Sequence, residues 1–257
     1  LHQHRAAYDL WDSSLSDLAA MPDGRAVRDV ILREDNTALQ DREGIFTISR
    51  NVTARLKNYN RIDSEVLYPP PRRMERFRVD SYGDYFFFPS RITSIKRQEL
   101  VVEALVHVPE PVKVVFAGEA DSPQYLDKLK RRVQELGVAE KVEWRGRVSE
   151  EEKFDLYANA LMVVFTPVDE DYGYVTPEAM LSSKSVLTLE DSGGATEFVV
   201  HEQSGLVVQA DPREIALAIS RVWNDRSEAE RLGAAARERI DKIDLSWPRI
   251  LRSLLGS

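Results

Sequence analysis

Residues 161–166, LMVVFT, form the most apolar strand-length run of the chain, and a glycine-containing loop and the helix start Thr176-Pro177-Glu178 follow it. The run shows no alternation of apolar and polar residues, so it predicts a strand that is buried on both faces of a sheet. Similar runs, separated by stretches of helical periodicity, predict further strands at residues 85–89, 112–117, 142–144, 186–189 and 206–208. Buried strands that alternate with helices are typical of a covered parallel sheet, so we predict an α/β, Rossmann-like doubly wound domain.

Composition excludes several classes of protein. Of the 257 residues, 43% are hydrophobic and 30% are charged, and no apolar run is long enough to span a bilayer. The absence of cysteine excludes a disulfide scaffold and a thiolate zinc site and fits a reducing cytosol, so we expect a cytoplasmic protein. Residues 1–80 carry 13 basic and 13 acidic side chains, so the net charge of −8 resides in residues 81–257. Because an acidic domain repels a polyanion, we expect no nucleic-acid partner.

The organisation of the chain changes near the proline run Tyr68-Pro-Pro-Pro71, which predicts a stiff, extended linker. Before it, helical patterns at residues 26–42 and 52–59 surround one short strand at 45–48. We therefore predict a partial, mostly helical segment at residues 1–71, the Rossmann-like domain at 72–240 and a tail helix within 241–257. The chain starts with Leu1 and has no signal peptide, so we expect a piece of a larger protein.

Cations and glycines follow the first three predicted strands of this domain. Arg91 lies in the loop after the first strand, and Lys96 is expected in the first turn of the next helix, where the pair can grip a diphosphate. The alternative is that both are solvated surface cations. Gly118 follows the second strand, and Arg147 and Val148 follow the third strand beside a glycine. These glycine turns either let a ligand approach the backbone or are ordinary connections between a strand and a helix.

The segment after residues 161–166 carries two glutamates eight positions apart, Glu170 in the loop and Glu178 at the helix start, with Gly173 between them. An ionised carboxylate near a helix N-terminus is a pure acceptor suited to sugar hydroxyls. Asp169-Glu170-Asp171 is formally a divalent-ion pattern, but that interpretation leaves Gly173 and Glu178 unused, and we predict no metal. Gly193-Gly194 then opens a further helix as a candidate anion nest. All these groups fall at one sheet edge, which predicts a nucleotide-diphosphate site.

These motifs together resemble the C-terminal half of glycosyltransferase family 4 (group 1), retaining enzymes of the two-Rossmann GT-B fold. Glu170 to Glu178 is similar to that family's pair of glutamates, and Ser90-Arg91 to Lys96 is similar to its Arg and Lys pair. Gly193-Gly194 to Glu197, followed by residues 201–208, resembles its next block. The similarity covers about residues 49–247, and residues 1–71 then correspond to a remnant of the N-terminal acceptor domain and its hinge.

The resemblance implies roles for individual residues. Arg91 and Lys96 neutralise the diphosphate leaving group, and Glu178 holds the ribose. Glu170 holds the donor sugar and phosphate together with backbone amides near Gly173, Tyr174 and Val175. The base rests near Arg147 and Val148, and Gly118 belongs to the donor-binding residues. The implied reaction passes a sugar from a nucleotide-diphosphate sugar to an acceptor hydroxyl with retention of anomeric configuration, and it needs no cofactor and no metal.

The chain departs from the family pattern at its start. Most of the N-terminal domain, which should bind an acceptor glycan or glycolipid and make any peripheral contact with the inner face of the membrane, has no counterpart. Leu1 to Asp9 resembles the end of the strand that carries the family's catalytic histidine, and His2 is the better candidate for it, against a plain surface histidine. We therefore expect this chain to bind donor weakly and to be inactive by itself.

Three other functions are consistent with parts of the pattern. A non-catalytic nucleotide-sugar-binding module would bind the same donor without transfer. A GT-B nucleotide-sugar epimerase would need its own acid and base groups, and the sequence offers no matching set. An NAD-dependent dehydrogenase would carry Gly-x-Gly-x-x-Gly after the first strand, and that motif is absent. The sequence does not decide whether the donor nucleotide is UDP or GDP.

Overall fold

The computed structural model describes residues 4–40, 42 and 44–256, and His2 lies outside the described residues. The chain divides into two compact units, Leu1–Pro69 and Pro70–Ser257. In the described part, no helix is both long and apolar enough to cross a membrane. The three-part domain assignment made from the sequence stays a prediction.

In its described residues, the first unit contains a 3-10 turn (Arg5–Ala7), two α-helices and two short parallel strands. Its elements are α1 (Gly24–Leu39), β1 (Phe46–Thr47), α2 (Arg50–Asn60) and β2 (Glu65–Val66). Helix α2 begins after Ser49, whose hydroxyl accepts a hydrogen bond from the backbone N–H of Val52. The sequence predicted β1, within residues 45–48, but not β2.

The second unit alternates strands and helices. In chain order its elements are β3 (Phe86–Pro89), α3 (Gln98–Ala104), β4 (Val114–Ala117), α4 (Pro123–Glu135), β5 (Val142–Gly146), α5 (Glu150–Asn159), β6 (Met162–Val164), α6 (Val175–Leu181), β7 (Val186–Leu189), β8 (Gly205–Val208), α7 (Pro212–Asn224), α8 (Arg226–Asp241) and α9 (Trp247–Leu255).

One predicted helix was wrong in extent. Residues 95–108 were expected to form one helix with Lys96 in its first turn, but Ser94–Lys96 is a separate 3-10 turn and α3 begins only at Gln98. The break falls at Arg97, whose backbone is left-handed with φ of 56°. A residue in this conformation ends one helical turn before the next can begin, so Lys96 lies in the loop before α3 and not inside the helix.

All six strands of the second unit are parallel, in the order β5-β4-β3-β6-β7-β8. This confirms the predicted Rossmann-like doubly wound fold. Strand β3 lies beside both β4 and β6, with Phe86 in register with Val114 on one side and with Met162 on the other. The chain therefore builds outward from β3 in two directions, and the strand order reverses between β3 and β6, the point at whose carboxyl edge doubly wound sheets have their crevice.

The central strands are buried on both faces, as their unbroken apolar runs require. Every residue of β3, β4, β6 and β7 is buried, and Phe86, Phe87 and Phe88 are completely inaccessible. Full burial of such a side chain stabilises the fold by roughly 1.5–3 kcal/mol. The sheet is therefore a rigid base for the loops at its carboxyl edge.

A buried lysine fixes the segment that enters β3. The side chain of Lys184 is inaccessible to solvent, its ammonium lies 3.8 Å from the centre of the Tyr82 ring, and it donates a hydrogen bond to the Ser81 carbonyl. The Tyr82 hydroxyl in turn donates to the Ser183 carbonyl at 2.7 Å. Burial lowers the pKa of Lys184 to about 8, against smaller opposing effects of nearby carboxylates.

Lys184 should make the stability of the fold rise with pH in the alkaline range. Between pH 8 and the ordinary lysine pKa of about 10.4, the unfolded chain binds a proton that the folded chain does not, so the free energy of unfolding increases. Burial also raises the pKa of tyrosines such as Tyr82, Tyr85 and Tyr125, and their effect on stability has the opposite sign. The test is therefore the difference in the free energy of urea unfolding between the unmodified chain and Lys184→Met, which should grow by about 2 kcal/mol between pH 8 and pH 10. Exposed Lys130→Met is the control and should keep the pH dependence of the unmodified chain; the same pH dependence in Lys184→Met would contradict the assignment.

Candidate functional site

Three loops meet in the crevice at the carboxyl edge, following β3, β6 and β7. The backbone N–H of Val168 donates to the Ile95 carbonyl at 2.8 Å, and the Thr166 hydroxyl donates to the Lys96 carbonyl at 3.1 Å. The N–H of Glu170 donates to the Ser192 carbonyl at 3.1 Å. The loop after β6 is therefore held from both sides, and it carries Glu170 toward the loop after β3.

Lys96 and Glu170, predicted for the diphosphate and the sugar, are brought together as an ion pair. The ammonium of Lys96 donates to Oε2 of Glu170, and the two side chains are 13% and 20% exposed. The same ammonium lies 5.3 Å from the centre of the Phe165 ring, a further favourable contact for a cation. An anion that enters the crevice must compete with Glu170 for Lys96.

The bend between the two glutamates requires glycine at position 173. Its φ is +75°, and a Cβ atom there would lie 2.9 Å from the Phe165 ring and 3.2 Å from Cγ of Glu170. The next residue, Tyr174, is exposed and packs edge-on against Tyr172, with ring centres 4.8 Å apart. Helix α6 begins at Val175, so Glu178 lies in its first turn, as predicted.

Both carboxylate oxygens of Glu178 have donors from α5. The Lys153 ammonium lies 2.9 Å from Oε1, and the Tyr157 hydroxyl donates to Oε2 at 2.9 Å. Tyr157 is completely buried, and this burial raises the pKa of its hydroxyl well above the ordinary value, so it stays protonated and remains a donor. Neither donor was predicted from the sequence, although their spacing of four places them on one face of α5.

Arg91 lies apart from the Lys96–Glu170 pair in this structure. Its guanidinium contacts both carboxylate oxygens of Asp121 at 3.0 Å, and its side chain is 67% exposed. Asp121 follows β4, so this contact ties the loop after β3 to the loop on its other side. Arg91 is at the correct sheet edge for the predicted role, but it would have to leave Asp121 to reach a ligand held by Lys96.

Arg147, predicted for the base, and Gly118, predicted for the donor, border a separate cavity of about 430 Å³ beside the ends of β4 and β5. Gly118 and Arg147 line it, and the partly buried Trp144 lines its wall. Any side chain at Gly118 would overlap the carbonyl oxygen of Ser90, so glycine is needed for the two loops to approach each other. Val148 is half-buried and does not line this cavity.

The acidic pattern Asp169-Glu170-Asp171 does not gather into a metal centre. Across residues 4–40, 42 and 44–256, no three side chains of His, Cys, Asp or Glu lie together as a set of metal ligands. Glu170 faces Lys96 instead of a second carboxylate. That the site works without a metal and without a cofactor stays a prediction.

Comparison with known proteins decides the family. The sequence profile described as "Glycosyl transferases group 1" matches residues 72–239. The chain belongs to the group 1 glycosyltransferases. The resemblance found in the motifs is thereby confirmed, and the matched range contains Arg91, Lys96 and both glutamates.

Curated relatives place the chain among named group 1 glycosyltransferases. It is 26% identical over 207 residues to the human alpha-1,3/1,6-mannosyltransferase ALG2, which covers 72% of this chain and 50% of the relative. It is 30% identical over 211 residues to alpha-maltose-1-phosphate synthase of Mycolicibacterium smegmatis, covering 76% of this chain and 54% of that protein. The chain thus spans about half the length of these relatives.

Solved structures share the group 1 glycosyltransferase fold. Sucrose-phosphate synthase from Thermosynechococcus elongatus superposes with a TM-score of 0.81 at 21% identity, over 99% of this chain and 65% of that one. Anabaena Alr3699/HepE, solved in complex with UDP and glucose, superposes with a TM-score of 0.79 at 20% identity, over 89% of this chain and 67% of that one. These likenesses establish the fold.

The donors to Glu178 should be energetically coupled to it. Tyr157→Phe removes a buried hydrogen bond to a carboxylate and should destabilise the chain by about 1.5–3 kcal/mol. In a Glu178→Gln background the same change should cost less, so a double-mutant cycle in urea should give a coupling of about 1 kcal/mol or more. Tyr85→Phe is the matched control, because its hydroxyl donates to the neutral Leu156 carbonyl at 2.8 Å. Additive effects of Tyr157→Phe and Glu178→Gln would show that the contact contributes nothing.

Proposed function

We propose that this chain is the donor-binding part of a glycosyltransferase that passes a sugar from a nucleotide-diphosphate sugar to an acceptor hydroxyl with retention of anomeric configuration. The observation that carries the proposal is the Lys96–Glu170 pair between the loops after β3 and β6 in a group 1 glycosyltransferase domain, with Glu178 in the first turn of the helix that follows the same loop. Ligands of doubly wound sheets bind at this kind of crevice.

Each group has a task that its chemistry suits. Lys96, joined by Arg91, would neutralise the diphosphate as it departs and gains negative charge, which stabilises the transition state. Glu178, held by Lys153 and Tyr157, would accept hydrogen bonds from the ribose hydroxyls. Glu170 would accept from the donor sugar.

The remaining predicted residues complete the donor site in this proposal. Backbone amides at Gly173, Tyr174 and Val175 would bind phosphate oxygens at the start of α6. The base would occupy the cavity bordered by Gly118 and Arg147, and Val148 is the next residue after Arg147 in the chain. Anabaena Alr3699/HepE was solved with UDP-glucose, which supports UDP as the first nucleotide to test.

The proposed acceptor is a glycan or glycolipid, bound by parts of the protein that lie outside the nucleotide-binding domain. A peripheral contact with a membrane surface belongs to the same proposal. Because the chain spans about half of its curated relatives, we propose that by itself it binds donor and transfers little. A non-catalytic nucleotide-sugar-binding module would share the donor site, so transfer and binding must be measured separately.

Removing the ribose acceptor should weaken nucleotide binding, whichever base the site prefers. Calorimetric titration of the chain with UDP, GDP and ADP should show a preference for one of them. Glu178→Ala should lower the affinity for that nucleotide by roughly ten- to a hundredfold, the scale expected when hydrogen bonds to a charged group are lost. Glu214→Ala, exposed on α7, is the control with unchanged affinity. Equal affinity in Glu178→Ala and the unmodified chain would refute the ribose role, and anomeric inversion in a transfer assay would refute retention.

Glu170→Gln should have opposite effects on two ligands. Without the negative charge that pairs with Lys96, UDP no longer has to displace a carboxylate, and it should bind several-fold more tightly at low salt. UDP-glucose should gain less, because a neutral amide accepts less well from sugar hydroxyls. The ratio of the two dissociation constants measures the effect. Equal weakening of both ligands would mean that Glu170 only supports the loop.

A further inference from the structure

Arg97 occupies a backbone conformation that costs energy for any residue with a side chain. Its φ is 56°, in the left-handed region that glycine adopts freely and that Arg disfavours. Asp169, in the loop after β6, is also left-handed, with φ of 42°, and its N–H donates to the Asp191 carbonyl at 2.8 Å. Two strained residues thus meet at the same edge of the sheet, and strain persists in a fold only where surrounding contacts hold it.

The guanidinium of Arg97 supplies such contacts. Its Nε donates to the Thr166 carbonyl at 2.8 Å, and Nη2 donates to the Pro167 carbonyl at 2.6 Å. Nη1 and Nη2 also donate to the two carboxylate oxygens of Asp191, at 2.8 and 2.6 Å. The Arg97 side chain is 16% exposed and its bonds to the two carbonyls are partly buried, whereas the Asp191 carboxylate is 53% exposed.

These contacts cross-link the three loops that form the crevice. Arg97 belongs to the loop after β3, Thr166 and Pro167 start the loop after β6, and Asp191 lies in the loop after β7. Lys96 is its direct neighbour in the chain, and Glu170 lies three residues beyond Pro167. The guanidinium therefore fixes the spacing of the two backbone segments from which the Lys96–Glu170 pair projects.

We propose that Arg97 is a positioning residue that holds Lys96 and Glu170 in the donor site by tying the loops after β3, β6 and β7 together. The inference rests on the proposed function, since it assigns Arg97 to the support of that site. Only an Arg satisfies the geometry, because its planar fork reaches two carbonyls and both oxygens of one carboxylate at once. A Lys would supply one point charge, and a Gly would relieve the backbone but remove the cross-link.

Arg97→Gly separates the strain of the left-handed backbone from the contacts of the guanidinium. Relief of the left-handed backbone offsets part of the lost contacts, so thermal unfolding should change less than in Arg97→Lys, which keeps the strain. Amide hydrogen exchange at Val168 and Glu170, whose N–H groups bond to Ile95 and Ser192, should nevertheless accelerate in both variants. The affinity for the preferred nucleoside diphosphate should fall in both by about ten- to a hundredfold, as when supporting bonds around a metal ligand are removed.

Glu202→Gly is the matched control in the same unit. Glu202 is also left-handed, with φ of 62°, and precedes β8 at the opposite edge of the sheet. This variant relieves a comparable strain, and it should leave nucleotide affinity and the exchange of Val168 and Glu170 unchanged. A loss of affinity in Glu202→Gly equal to that in Arg97→Gly would overturn the assignment to Arg97.

Lys96→Met separates failure of the inference from failure of the proposed function. If Lys96→Met loses nucleotide affinity while both Arg97 variants keep it, the donor site stands and the positioning role is refuted. If Lys96→Met and Glu178→Ala both bind as the unmodified chain does, the proposed function fails. The exchange measurement needs no ligand, so unchanged exchange in Arg97→Gly refutes the cross-link in either case.

Discussion

The whole site depends on one constraint of the sheet: from two neighbouring parallel strands the chain continues in opposite directions. Strands β3 and β6 are paired and buried on both faces, but the chain continues from β3 toward β4 and from β6 toward β7. The connections that follow the two strands therefore run to opposite sides, although the first residues of the two loops are joined by hydrogen bonds. The buried sheet is rigid and fixes the positions at which these loops start. A few contacts between the loops are then enough to fix the positions of Lys96 and Glu170.

Every cation discussed for this crevice already has a carboxylate partner. The pairs lie across different loops or between α5 and α6, and they are Lys96–Glu170, Arg97–Asp191, Arg91–Asp121 and Lys153–Glu178. In a chain with a net charge of −8, such pairing keeps basic groups in place without creating a field that attracts every polyanion. Binding of an anion is then an exchange of partners, and selectivity depends on how well the anion replaces the carboxylate.

The sequence was sufficient for features that local signals determine. Strand β7 has the predicted bounds, and α4 begins at Pro123 after Ser122, because apolar runs, capping residues and proline at the first helical position are local signals. Family membership was also predictable, since the two glutamates and the basic pair are close in sequence. The predicted roles of these residues stay predictions, and His2 lies outside the described residues.

The contacts that organise the site were not predictable in the same way. Arg97 stands where the backbone is left-handed, and no local pattern marks an Arg for that conformation. Its acceptors are about 70 and 94 positions away, and Tyr157 reaches Glu178 across 21 positions. Such pairs become visible only when the sheet order is known, because β3 and β6 are adjacent in space although two complete strand–helix units separate them.

The Lys96–Glu170 pair makes the order of recognition a consequence of electrostatics. In the proposed function, Glu170 accepts from the donor sugar, but its Oε2 is occupied by Lys96 until a stronger anion takes that cation. A diphosphate carries more charge than one carboxylate and can do so, whereas a neutral sugar cannot. Capture of the diphosphate and release of Glu170 are therefore one event, and a free sugar without its nucleotide meets a carboxylate that is already paired.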